Sequence, residues 1–155
     1  RLEKRSAHPM IATLAARIDF DAGNPGRALE RLRQAMQRHG ISRALALAYS
    51  EALLRAGRAS EAKREIDGYL RVWLDEPAFL ALLARANFGL GQVAEGHLAQ
   101  AESLRQQDLL AAALDQLESA RKAGGDYYTQ SIVDARIRDT RDRLKDEKEQ
   151  GAKAW

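Results

Sequence analysis

Three glycines at one fixed spacing constrain this chain more than any other feature: Gly23, Gly57 and Gly91 stand 34 residues apart. Self-similarity at that period points to stacked helix pairs, not to one closed core. A second pattern runs in register with the glycines. After Gly23 come Ala28, Leu32 and Ala35, a small-large-small set at helical spacing. After Gly57 come Ala62, Ile66 and Tyr69, where a ring takes the second small place. After Gly91 come Gly96, Gln100 and Ser103, where a polar residue takes the large place. With Asp108 in the turn position the set recovers as Ala113, Leu117 and Ala120. Ala113 lies 51 residues after Ala62, one and a half periods, so the segment near 93–106 must close one helix pair and open the next. Small residues let paired helices approach, and the large residue fills the remaining gap.

The 34-residue period and this pattern are those of the tetratricopeptide repeat (TPR). The competing reading, a generic helical bundle with chance glycine spacing, leaves three glycines in register and two full sets unexplained. Asp19, Leu53 and Asn87 stand where the ideal repeat has Tyr, and its Trp is missing too, so the consensus is degraded. Ala, Leu, Arg, Glu and Gln dominate and β-branched residues are sparse, which favours helix nearly throughout. The expectation is an all-α, right-handed TPR-like superhelix of about eight antiparallel helices with a longer C-terminal capping helix.

Start and stop signals set the helices. Residues 1–8 read as a lead-in. Arg1 is not an initiator Met, so a longer polypeptide is expected. Pro9 starts helix 1, which runs to about Ala22. Asn24 and Pro25 start helix 2, and Gly40 stops it. Ser42 starts helix 3, and Ser60 starts helix 4, which ends near Trp73. Asp75, Glu76 and Pro77 introduce helix 5. Asp108 starts helix 7, and Gly124–Gly125 ends it. Asp126 starts helix 8, whose Ile132, Val133, Ile137 and Leu144 form an apolar stripe. Its polar face offers Asp134–Arg138 and Asp139–Arg143 pairs four apart. The repeat domain is expected over 9–147, with 148–155 as a frayed tail and Trp155 unordered.

The chain has no Cys, which excludes disulfides and thiolate chemistry. No apolar run approaches a membrane span. Net charge is +3, with fourteen basic and ten acidic residues in 1–78 and eleven and twelve in 79–155, no nucleic-acid footprint. His8, His39 and His97 have no metal-ligand spacing. GLGQVAEG follows a helix rather than a strand, so its glycines are no phosphate cradle. No nucleophile motif or carboxylate pair stands out, so no cofactor and no catalytic residue are expected.

In such an array the first helix of each pair lines the inner face. Its outward positions are Thr13, Arg17 and Phe20, then Leu47, Glu51 and Leu54, then Ala81, Arg85 and Phe88, continued by Glu102 and Arg105. The candidate protein-binding groove is therefore Arg17, Phe20, Glu51, Leu54, Arg85, Phe88, Glu102 and Arg105. Alternating charge at Arg17, Glu51, Arg85 and Glu102 suits an extended peptide. The same alternation equally suits an internal ladder of ion pairs, each worth ~0–1 kcal/mol. Phe20 and Phe88 are candidate anchors.

Three stretches carry a more specific resemblance, spanning Ala44 to Lys145: LLRAGRASEAKREIDGYL, LLARANFGLGQVAEGHLAQAESLRQQDLLAAALDQLESARK and GGDYYTQSIVDARIRDTRDRL. They resemble the C-terminal TPR region of bacterial periplasmic zinc metalloproteases, the β-barrel assembly-enhancing protease family. The matching segments are Ala94–Glu102, Gln107–Asp108, Ala112–Ala120 and Tyr128–Ile137, with Gln107 departing from a common Gly. His97 falls in the A-E-x-H-L-A pattern and is not thereby a zinc ligand. The resemblance implies a non-catalytic interaction and substrate-positioning module in the periplasm. Zinc would sit in a separate protease domain, and the partners would be that domain and the outer-membrane assembly machinery, with no nucleic acid and no membrane span. The alternatives are a free-standing TPR adaptor and an independent helical enzyme; no constellation of residues supports the latter.

Overall fold

The computed structural model describes residues 8–154, all of whose regular structure is helical. The helices are α1 (Pro9–Asp21), α2 (Pro25–His39), α3 (Arg43–Arg55), α4 (Ala59–Leu70), α5 (Pro77–Gly89), α6 (Val93–Gln106), α7 (Leu110–Ala123) and α8 (Tyr127–Lys153). Each packs on its sequence neighbour within two compact units, one ending at Trp73 and one beginning at Leu74. The fold is a TPR-like α solenoid. The single repeat domain expected over 9–147 thus resolves into two units of four helices. The lead-in 1–7 and Trp155 lie outside the described residues.

One turn recurs four times. Gly23, Gly57 and Gly91 adopt φ of +78°, +73° and +73°, and Asp108 takes the same left-handed place at φ +56°. At each, the amide of the following residue donates to a carbonyl five residues back: Asn24 to Asp19 (2.8 Å), Arg58 to Leu53 (2.9 Å), Gln92 to Asn87 (2.9 Å) and Leu109 to Leu104 (3.0 Å). This bond satisfies orphan carbonyls and turns the chain back on itself. Asp108 is therefore a turn residue, and helix α7 begins at Leu110, not at Asp108 as expected. The acceptors at Asp19, Leu53 and Asn87 are main-chain oxygens, so the turn does not depend on which side chain stands there.

The small-large-small sets are the cores. In the first unit Ala28, Leu32, Ala35, Ala62, Ile66 and Tyr69 are buried; in the second, Gly96, Ser103, Ala113, Leu117 and Ala120 are, with Gln100 half-buried. A Cβ at Gly96 would fall 2.5 Å from the Phe88 ring, so a larger residue there would displace that ring. Tyr69 fits because its hydroxyl reaches Glu65 (3.2 Å) and its ring meets Trp73 edge-on at 6.2 Å. Burial, and then the Glu65 carboxylate, push its phenol well above the usual tyrosine value.

Several caps differ from expectation. Ser42 and Asp126 do cap, accepting from Leu45 N (3.3 Å) and Thr129 N (2.7 Å). Asn24 occupies the cap position, but its side chain points back to Ala22 O (3.5 Å), leaving the start of α2 to Pro25. His8 caps α1 through Nδ1 to Met10 N (3.3 Å). Helix α4 ends at Leu70, not near Trp73. The tail expected to fray from 148 continues α8 through Gly151 to Lys153; its run of Lys, Asp and Glu favours helix and includes a Lys145–Glu149 pair at 3.9 Å.

Two predictions follow from the backbone and core. Gly57→Ala forces a Cβ into a left-handed turn and should cost about 1 kcal/mol, whereas Gly68→Ala, helical with open space around its Cα, should gain about 0.5–1 kcal/mol. Urea denaturation of both variants checks the opposite signs. Because folding holds the Tyr69 phenol protonated, its contribution is complete below about pH 10 and is lost as pH rises beyond. Alkaline titration of stability should fall less steeply in Tyr69→Phe than in the parent.

Candidate functional site

The first unit carries a cleft of about 380 Å³ between α1 and α3, floored by α2. Thr13, Ala16, Arg17 and Phe20 form the α1 wall, Leu32 the floor, and Ala48, Glu51, Ala52 and Arg55 the α3 wall. The Arg55 guanidinium lies 4.5 Å over the Phe20 ring and reaches Asp21 at 3.3 Å. A cation over a ring at such a site contributes about 0.5–1 kcal/mol and holds both groups at one end of the cleft. Arg17 is exposed and makes no ion pair with the described residues. Below the site, buried Asp19 anchors α2 to α1 through Arg31 (2.5 Å) and Arg27 (3.6 Å).

The second unit contains the same three-helix arrangement, 85 residues on in register, since Asp108 follows Gly23 by that interval. There α6, α7 and α8 stand for α1, α2 and α3. Thr13, Ala16 and Leu32 correspond to Leu98, Ala101 and Leu117; α7 is one residue shorter than α2, so the caps Ser42 and Asp126 stand 84 residues apart and Tyr49 and Leu53 correspond to Val133 and Ile137. In the second unit these residues are no cleft. Ala101, Leu117, Ala120, Val133 and Ile137 form a closed core, with Leu98 packed against it. In the first unit the corresponding Tyr49 and Leu53 are buried as well, and the cleft lies on the neighbouring face of α3, at Ala48, Glu51, Ala52 and Arg55.

The charged positions diverge the same way. Arg17 and Phe20 correspond to Glu102 and Arg105 on α6, and Arg55, which meets Phe20, corresponds to Asp139, which meets Arg105. Glu102 accepts from Arg136 at 2.6 Å and from Arg105 at 3.2 Å, while Arg105 also pairs with Asp139. Arg105 is only 9% exposed, and its Nε has no hydrogen-bond partner among the described residues. Asp108–Arg143 (2.8 Å), Arg121–Asp134 (2.7 Å) and Glu118–Arg141 (2.7 Å) extend the staple along α8. Asp134, Asp139 and Arg143 thus pair across helices rather than four residues along α8 as expected. The Asp134 carboxylate raises the Arg121 guanidinium above its ordinary value.

Of the eight residues expected to form one groove, the structure gathers Arg17, Phe20 and Glu51 into the cleft. Leu54 is half-buried and is no part of its lining. Glu102 and Arg105 belong to the ion network against α8. Arg85 and Phe88 lie on α5, where Phe88 meets His97 edge-on at 5.0 Å and stays 40% exposed. His97 Nδ1 lies 2.9 Å from Gln116 Oε1, joining α6 to α7. Among the described residues no three His, Asp or Glu side chains converge in a group that could hold a metal ion. Nor is any described helix long and apolar enough to cross a membrane. Sequence reasoning missed Ala48, Ala52 and Arg55, which line the cleft.

The tetratricopeptide repeat family model matches residues 19–86, from the last turn of α1 into α5. No curated protein matches the chain. With consecutive helix packing, the match makes this stretch a TPR region, a fold that typically serves as a non-catalytic scaffold for protein–protein interaction.

Breaking the Arg105 network should be asymmetric. Asp139→Ala leaves a buried guanidinium short of a partner and should cost about 1–3 kcal/mol, whereas Arg105→Met should cost less than 1 kcal/mol or stabilise. Chemical denaturation of the two variants provides the comparison.

Proposed function

We propose that the α1–α3 cleft is the protein-binding site and that the array positions polypeptide substrates for a zinc metalloprotease of the periplasm. The cleft reading is carried by one observation: a space of about 380 Å³ between α1 and α3 that brings Arg17, Phe20, Glu51 and Arg55 together on the first helices of two successive pairs. A cleft whose exposed lining is more polar than apolar, with Arg17, Glu51 and Arg55 around the Phe20 ring, suits a peptide segment held by polar and ionic contacts that fix its orientation. The protease placement is supported by the A-E-x-H-L-A, A-A-x-x-Q-L-x-x-A and Y-x-Q-S-x-x-D-A-R-I segments at Ala94–Ala99, Ala112–Ala120 and Tyr128–Ile137. In this reading the zinc and the catalytic groups belong to a protease domain, and the outer-membrane assembly machinery supplies partners.

An unfolded outer-membrane β-barrel protein, fluorescently labelled, is the direct probe. Its anisotropy should rise with the wild-type chain, and affinity should fall at least tenfold when Ala48→Val and Ala52→Ile fill the cleft. Equal binding by both proteins contradicts the cleft as the site. The protease placement has its own check: the polypeptide immunopurified from its native source should contain zinc and show chelator-sensitive proteolysis, and a zinc-free, inactive preparation contradicts it.

A further inference from the structure

Helix α1 is apolar on two sides and covered on one. Ala12, Ala16 and Asp19 are buried on the side that packs on α2. On another side Ile11, Leu14 and Ile18 stand three and four residues apart, which places them in one row along the helix. They are 43%, 61% and 60% exposed, and Met10 widens the row at 73%. Single exposed apolar residues are ordinary, but four in one row on a 13-residue helix form a contiguous patch of the kind that marks a contact surface.

The chain shows twice what lies over this row. One 34-residue period on, its places are taken on α3 by Leu45, Ala48 and Ala52. Leu45 and Ala52 are buried and Ala48 half-buried, on the side where α3 packs on α2. Tyr49, one turn from Leu45 on that side, accepts from the Arg33 guanidinium of α2 at 3.2 Å. Eighty-five residues on, the places are taken on α6 by Gly96, Ala99 and Ser103, all buried. There α5 is the cover. The Phe88 ring comes within 2.5 Å of where a Gly96 Cβ would stand, and Ser103 Oγ donates to Pro77 O at 2.7 Å. The end of α5 thus meets the start of α6 and its start meets the end of α6, so α5 lies antiparallel along the row. On α1 no described helix takes that place, and the row faces solvent.

We propose that the Ile11, Leu14 and Ile18 face of α1, separate from the cleft, docks an amphipathic α-helix of a partner protein laid antiparallel along it, as α5 lies along α6. Side-chain size narrows the partner. On α6 the row is small and the cover is bulky; on α1 the row is branched, so the cover is trimmed in return. Helix α2, which covers the row on α3, has Ala28, Leu32 and Ala35 on its buried side, and the partner helix carries the same small-large-small order. A second copy of this chain fits less well. It sets Ile11, Leu14 and Ile18 against themselves, large on large. Helix α1 is also only about 20 Å long, too short for one helix per side to reach the ~1,200 Å² of a stable dimer interface. Docking of a single helix is a weaker, reversible contact that needs less area.

The test uses two helical peptides of about eighteen residues with one composition of Ala, Leu, Glu, Lys and Gln. One places Ala, Leu and Ala four and three apart along one side; the other scrambles the order. Each is titrated into the isotope-labelled chain, and the methyl shifts of Ile11, Leu14 and Ile18 are followed. The ordered peptide should move these methyls and bind about tenfold more tightly than the scrambled one. Leu14→Asp with Ile18→Asp should abolish its binding, and Ala48→Val with Ala52→Ile should leave it unchanged. Equal affinity for the two peptides, or shifts that avoid α1, overturns the docking face. Sedimentation of the unliganded chain as a dimer that Leu14→Asp with Ile18→Asp dissociates makes a second copy the occupant and overturns the partner helix. The peptide ranking is read on the wild-type chain, so it decides the matter even where a variant folds poorly.

Discussion

The left-handed turn with its five-residue backbone bond governs most of what this chain does. Placed at Gly23, Gly57 and Gly91 it sets a 34-residue register, and placed again at Asp108 it continues half a period on. A fixed register brings residues one period apart face to face on alternate helices. Asp21 meets Arg55, Glu102 meets Arg136, and Arg105 meets Asp139, each pair 34 residues apart in sequence. Because such pairs follow from the turn geometry, mixed charge on the inner helices does not by itself mark a binding groove. In the second unit it is a ladder that holds α8 in place.

Within that common frame the two three-helix sets differ at their surfaces. Val133 and Ile137 belong to a closed core in the α6–α7–α8 set, whereas a cleft of about 380 Å³ opens to solvent between α1 and α3. The charge pattern changes with it: a carboxylate and two guanidiniums satisfy one another against α8, while Arg17 remains available at the cleft.

Much of this was legible in the sequence, because the period and the small-large-small sets depend on single residues that cannot be exchanged freely. Ala28, Leu32, Ala62, Ile66, Ala113 and Leu117 were read as core positions and are buried. The dual role of α6 was legible from the step between Ala62 and Ala113. The site was less so. Arg17, Phe20 and Glu51 were recognised by their place in the repeat, but the same rule selected Glu102 and Arg105, which are spent on α8. Repeat position reports which way a side chain faces, not whether a neighbouring helix has filled the space in front of it. The preference of Asp134 and Asp139 for partners on α7 and α6 was likewise hidden, since helical spacing displays only the partners four residues away.

The account stands most directly on the claim that the space between α1 and α3 can admit a further side chain. A crystal structure of the chain carrying Ala48→Val and Ala52→Ile measures it. The added carbons should lie in the cleft between the two walls, with α1 and α3 no farther apart than in the parent and the turn at Gly23 unchanged. If α1 is instead pushed away from α3, or the new side chains turn out to solvent, the space is too small for a ligand's side chain, and the cleft as a binding site fails.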